Sequence, residues 1–262
     1  MGGETVAQRK HNRRRRRVRG SFGPLLRLLS VFLTAVVIVV ALTLFFKIRQ
    51  VTVEGNVRYT AEEIIAVCGV SEGDNLILLD KYQIAQKLYT ELPYITGVRI
   101  NRDFPDGLKV EVTETRAVLA LENGDACWLL NEEGKILEAV APSRAEEFLV
   151  LRGMTPWNIT VGRKLELAPE EPITAQRLLE LIAELQKRGM LDRTECINAQ
   201  DDEILHIAYD GRFDVELFYD ADFAFKLDCL KAAVNELEPN ETGIIRMTMD
   251  DENEVRLIPD RR

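Results

Sequence analysis

The chain has 262 residues, 46% of them hydrophobic and 29% charged, with a formal net charge of −9. That length is about two domains' worth of chain, and the composition excludes a collagen-like, disulfide-dense or wholly disordered protein. The net charge conceals two opposite regions: residues 1–27 carry nine basic groups against one acid, Glu4, a net of +8, whereas residues 28–262 carry 25 basic and 42 acidic groups, a net of −17.

The boundary between the two regions is a stretch without charge, LLSVFLTAVVIVVALTLFF, from Leu28 to Phe46. As a helix, its 19 residues cover most of a bilayer's hydrocarbon core, and Ser30, Thr34 and Thr43 can bond back to helix carbonyls. A cleavable signal peptide has a shorter apolar region ending in a small-x-small site, whereas here the run continues into Lys47, Ile48, Arg49 and Gln50. The reading is a membrane anchor. Basic residues beside a span stay cytoplasmic, so the tail, residues 1–27, is expected inside and everything after Phe46 outside. Arg13–Arg17 are assigned to topology and to attraction for anionic lipid headgroups. No nucleic acid is expected, because no aromatic residue interleaves the run to stack on bases.

The outer portion offers no catalytic constellation. Cys68, Cys127, Cys196 and Cys229 are widely spaced and permit three pairings among which the sequence does not choose. His11 and His206 are the only histidines, and no His/Cys cluster, G-x-S-x-G turn, P-loop or dinucleotide fingerprint is present. No enzyme activity, metal or cofactor is expected.

In chain order, Ile48–Val53 alternates as a strand, and Thr60-Ala-Glu-Glu63 is a capping box opening a helix with Ala61, Ile64, Ile65 and Cys68 on one face. An apolar stretch, Leu76–Leu79, precedes Asp80, which caps a second helix with Ile84, Ala85, Leu88 and Leu92 on one face. Two period-two segments follow, Ile95–Asn101 and Leu108–Thr113. The turn between them, Phe104-Pro105-Asp106-Gly107, has proline fixing φ and glycine permitting positive φ. Hairpin signals flank Asn123-Gly124 and Asp210-Gly211, with short strands at 135–138 and 148–151. A helix is expected over 173–188 and another through Phe223, Leu227, Leu230, Val234 and Leu237, with a closing strand at Ile244–Met249.

A basic tail, one span and then strand–helix–helix–strand–strand resembles a membrane protein carrying a POTRA module. Val51-x-Val53-x-Gly55-Asn56, Gly73-x-Asn75-Leu76, Pro93-x-Ile95, Phe104-Pro105-x-x-Leu108 and Val110-x-Val112-x-Glu114-x-Arg116, then Ala120, resemble the FtsQ/DivIB family of bacterial cell-division proteins. The resemblance implies an α+β chain: a basic cytoplasmic tail (1–27), a transmembrane helix (28–46), a POTRA domain (47–116), a mixed, mainly antiparallel β domain with helices packed on it (117–250), and a C-terminal tail (251–262). It implies a non-enzymatic divisome scaffold at the septum that binds FtsB/DivIC-like and FtsL-like bitopic proteins outside the membrane. The physical means would be addition of a partner strand to a sheet edge, with Ile244–Met249 as the candidate edge and Tyr219, Phe223, Ile244, Arg246 and Thr248 as candidate contacts. The competing expectation is an anchored exported sensor or peptidoglycan-binding module, which would need a concave polar pocket.

Overall fold

The structure is a computed structural model and describes residues 23–247 and 255–259. An apolar helix α1 (Gly23–Phe45) leads; its residues 25–45 have a mean hydropathy of 2.9, and none of that apolar stretch is buried inside the protein. The helix is therefore long and apolar enough to cross a membrane. Only Phe46–Arg49 separate it from strand β1 (Gln50–Glu54).

β1 is followed by α2 (Ala61–Cys68), α3 (Lys81–Glu91), β2 (Ile95–Asp103) and β3 (Gly107–Glu114). The capping box closes as the sequence requires: the Thr60 hydroxyl accepts from the Glu63 amide, and the Glu63 carboxylate accepts from the Thr60 amide at 2.8 Å. Asp80 caps α3 by accepting from the amides of Tyr82 and Gln83. The sheet order is β1-β3-β2, with β1 parallel and β2 antiparallel to β3, and cross-strand pairs Val98–Val112 and Ile100–Val110. Leu108, Val110 and Ile100 on the sheet meet Ile64, Cys68, Ile84 and Leu88 of the two helices in a closed apolar core.

The β2–β3 turn differs in one respect from its sequence reading. Gly107 does not adopt a positive φ. It is glycine because a Cβ there would lie 2.9 Å from the Asp103 carbonyl oxygen, so close approach across the turn is what excludes a side chain.

The remainder forms one nine-stranded sheet built from β4 (Leu119–Asn123), β5 (Ala126–Leu130), β6 (Ile136–Val140), β7 (Leu149–Arg152), β8 (Thr194–Asn198), β9 (Ile204–Tyr209), β10 (Phe213–Phe218), β11 (Gly243–Met247) and β12 (Val255–Pro259). Its order is β12-β11-β10-β9-β8-β7-β4-β5-β6, and five of the eight strand pairs are antiparallel. The short helix α4 (Pro142–Ala145) covers part of one face, where Ala145 packs with Ala120, Cys127 and Leu129. The helices α5 (Ala175–Lys187) and α6 (Phe223–Glu236) cover the other, burying Leu178, Leu181, Leu227 and Leu230 against Leu205, Ile207, Val215 and Ile245.

Two strands depart from the sequence reading. β8 was not anticipated, because Thr194-Glu-Cys-Ile-Asn198 is short and carries one strongly apolar residue. β12 lies within the expected C-terminal tail, where Leu257 packs on the main core and the strand pairs antiparallel with β11.

Candidate partner interface

Strand alternation divides β8–β12 into two faces. Ile197, Ile207, Val215, Ile245 and Met247 point at the helices and are buried. The opposite face carries two cross-strand rows fixed by register. One runs Arg152, Asn198, His206, Glu216, Arg246 and Arg256; the other runs Val150, Cys196, Ala208, Asp214, Ile244 and Ile258.

Arg152, His206, Asp214, Glu216 and Arg246 in these rows have ionisable partners. The Arg246 guanidinium grips both carboxylate oxygens of Glu216, with the Nη2 contact at 3.3 Å, and the contact raises the arginine pKa above its ordinary value. His206 Nδ1 lies 3.0 Å from Asp214 Oδ2, and Arg152 Nε donates to Glu122 at 2.5 Å. Between Arg152 and Asp214 lies a shallow basin of about 560 Å³ that includes Cys196 and Ala208. All four cysteines are free thiols, and burial pushes the Cys196 thiol upward, with Glu122 and Asp214 adding to the rise against Arg152.

A corner of the domain is built around Arg177, on the first turn of α5. Its Nε donates to the Tyr219 carbonyl at 3.1 Å, its Nη2 to the Ala221 carbonyl, and its guanidinium stacks 3.8 Å from the Phe223 ring centre. Asp222 then caps α6 by accepting from the Phe225 amide. Tyr219 is half-buried, its hydroxyl donating to the Asp201 carbonyl at 2.6 Å, and burial followed by Asp201 pushes its pKa up to about 12.

The structure brings Ile244 and Arg246 together on the face opposite α5 and α6, two residues apart on β11. Tyr219 sits at the Arg177 corner. Phe223 is 1% exposed and belongs to the core beneath α6, so it shapes this corner from below. Thr248 lies outside the described residues. The candidate edge itself is occupied: β11 has β10 on one side and β12 on the other, so the outermost strand at this end is Val255–Pro259. Sequence reasoning missed Arg177 and β12. Arg177 leaves no local signal, whereas the alternation Val255-Arg-Leu-Ile258 was a weak one.

Residues 46–115 match a POTRA domain of the FtsQ type. The chain is 26% identical over 213 residues to the cell division protein FtsQ of Geotalea daltonii, an alignment covering 76% of this chain and 71% of that one. The chain is thus similar to the FtsQ/DivIB cell-division proteins, and its residues 46–115 to their POTRA domain. Cell division protein DivIB of Clostridium acetobutylicum is 24% identical over 62% of this chain and 61% of its own length. FtsQ of Corynebacterium glutamicum is 31% identical over 34% of this chain and 40% of its own. The FtsQ-type match coincides with β1 through β3, the module set directly on the end of α1.

Proposed function

We propose that this FtsQ/DivIB-like protein is a single-pass scaffold of the divisome, its basic tail cytoplasmic and its two outer domains facing away from the cytoplasm. It binds FtsB/DivIC-like and FtsL-like bitopic proteins there and acts by assembling partners, without catalysing a reaction. The orientation rests on the +8 tail beside an apolar helix.

The observation that carries the binding mode is the exposed outermost strand. β11 sends Ile245 and Met247 into the core at 1% exposure each, whereas β12 leaves Arg256 and Ile258 exposed and ends at Pro259, which has no amide proton to donate. A partner strand takes the place of β12 on β11 by main-chain bonding, and Ile244 and Arg246 on the free face read its side chains. Tyr219 and Phe223 hold the adjoining corner in shape, and Thr248 is a further candidate contact.

A reversible staple tests this. Ile244 and Ile258 are direct cross-strand partners, and facing antiparallel positions fit disulfide geometry. In the I244C/I258C full-length chain, oxidation is expected to abolish co-purification with the DivIC-like partner and reduction to restore it. Full binding by the oxidised chain would defeat strand exchange, and no binding in either state would defeat the scaffold reading itself. The rival wall-binding reading needs a concave polar pocket. The basin beside Arg152 and Asp214 is shallow, and its arginine and aspartate are already paired within the protein.

A further inference from the structure

From the residues beside the last turn of α1, we infer that the POTRA domain is seated in the outer leaflet of the bilayer through an apolar lip made of the Leu76–Leu79 loop and Phe104. The inference shares with the proposed function the reading of α1 as a span and its orientation.

The lip is fixed to the helix end by three contacts. Asn75 Nδ2 donates to the Thr43 carbonyl at 3.1 Å, the Leu76 amide donates to the Phe46 carbonyl at 2.8 Å, and the Phe104 ring packs edge-on against Phe46 with centroids 5.4 Å apart. Thr43 lies inside the apolar stretch, two residues, or about 3 Å of helix rise, before its end at Phe45. The loop therefore begins beside the last turn of the span, at the depth where hydrocarbon gives way to headgroups.

What the loop presents there is apolar. Leu76 is buried in the domain core, whereas Leu78 is 74% exposed, Phe104 58% and Ile77 38%. Exposed Tyr82 stands on the first turn of α3 immediately beyond, the residue type enriched at membrane interfaces. Lys47 and Arg49 are exposed in the junction between span and β1, where cations meet lipid phosphates.

The loop's backbone is prepared for a medium poor in water. Asn75 Oδ1 accepts from the amides of Ile77 and Leu78 at 2.9 and 3.1 Å. One arginine, Arg102, donates to the carbonyls of Leu76, Ile77 and Leu79 at 2.7, 3.0 and 3.0 Å. A surface loop in water needs no such internal satisfaction, because solvent supplies it. In the bilayer, irregular backbone is tolerated only when its polar groups are met from within. Exposed apolar side chains, an internally bonded backbone and attachment to the end of a span together select lipid as the occupant.

The test places single indoles in the full-length chain, with Trp128 and Trp157 replaced by Phe, in vesicles of phosphatidylcholine and phosphatidylglycerol whose acyl chains are brominated close to the headgroup. L78W and F104W read the lip, F45W reads the end of the span, and V57W reads an exposed position on the β1–α2 loop. L78W and F104W are expected to lose emission in brominated relative to plain vesicles to the same extent as F45W, while V57W loses none. Two lip positions guard against one variant failing to fold. Quenching of F45W without quenching of L78W and F104W overturns the seated lip while leaving the span intact. A blue-shifted but unquenched L78W overturns it in favour of cover by another copy of the chain. Absence of quenching at all positions overturns both lip and span. None of these readouts involves the division partners, so failure of the lip and failure of the scaffold are separable.

Discussion

Asp210 stands at the tip of the β9–β10 hairpin with φ of 61°, followed by Gly211 at the same φ, the paired positive values of a tight hairpin turn. Arg193 donates to its carboxylate at 2.8 Å, Arg212 donates at 2.7 Å, and these contacts hold its pKa down to about 2. The sign follows from the depression. The carboxylate stabilises the fold fully above the ordinary aspartate range and loses that contribution as pH falls towards 2. Asp210→Asn keeps a residue that tolerates the left-handed backbone but removes the charge. It is expected to cost roughly 1.5 kcal/mol near neutral pH, a charge-assisted hydrogen bond's worth. The difference from the unaltered chain should shrink between pH 4 and about 2, as followed by chemical unfolding of the full chain in detergent. A difference constant over that range would show that the turn, and not the charge, matters.

At the scale of the element, Gly243 decides whether β12 pairs. Its φ is +148°, and a Cβ would come within 2.3 Å of the Ile258 carbonyl oxygen and 2.9 Å of the Pro259 Cα. Gly243→Ala is expected to expel β12 while β11 stays paired with β10. Hydrogen exchange of the amides of residues 255–258 should then speed up, with those of β9 and β10 unchanged.

The same strand marks how far the sequence could be read. α2 and α3 were legible because capping residues Thr60 and Asp80 and an apolar stripe agree on each, and α6 was legible from its apolar stripe. The β9–β10 hairpin was legible because Asp210-Gly211 separates two alternating runs. β8 was not, since Thr194 and Cys196 are placed by the strands beside them and not by their own preference. Ile244 and Arg246 share one face because they lie two apart on β11. Phe223 heads the apolar stripe read for α6, and the structure buries it with Leu227, Leu230 and Val234.

On the scale of the whole molecule, the POTRA domain and the β domain meet at Glu138 on β6. One carboxylate oxygen accepts from the Tyr94 hydroxyl at 2.7 Å and lies 3.3 Å from Arg58 Nη2 and 3.4 Å from Arg144 Nη2. Burial, then the bond to Glu138, pushes the Tyr94 pKa up to about 12. Nearby, Lys135 Nζ donates to the Ile95 carbonyl at 2.8 Å. Glu138→Ala is expected to remove roughly 1–2 kcal/mol from the joint. The Thr115 amide, bonded to the Tyr94 carbonyl at 2.8 Å, should exchange faster, while amides within β2 and β10 keep their protection. Unchanged exchange at Thr115 would show that the joint does not depend on this carboxylate.

The sheet order carries a mechanical consequence. β6, which holds the joint, and β12, at the proposed partner-binding end, are the two extremes of the nine-stranded sheet. Eight inter-strand steps of about 4.8 Å put them about 38 Å apart along the curve of the sheet. A pull applied by a partner at the far strand thus reaches Glu138 as torque on a long arm, through a continuous ladder of main-chain bonds that yields little along its width. Domain tilt under load works against the contacts of Glu138 and Lys135, with the sheet serving as the boom.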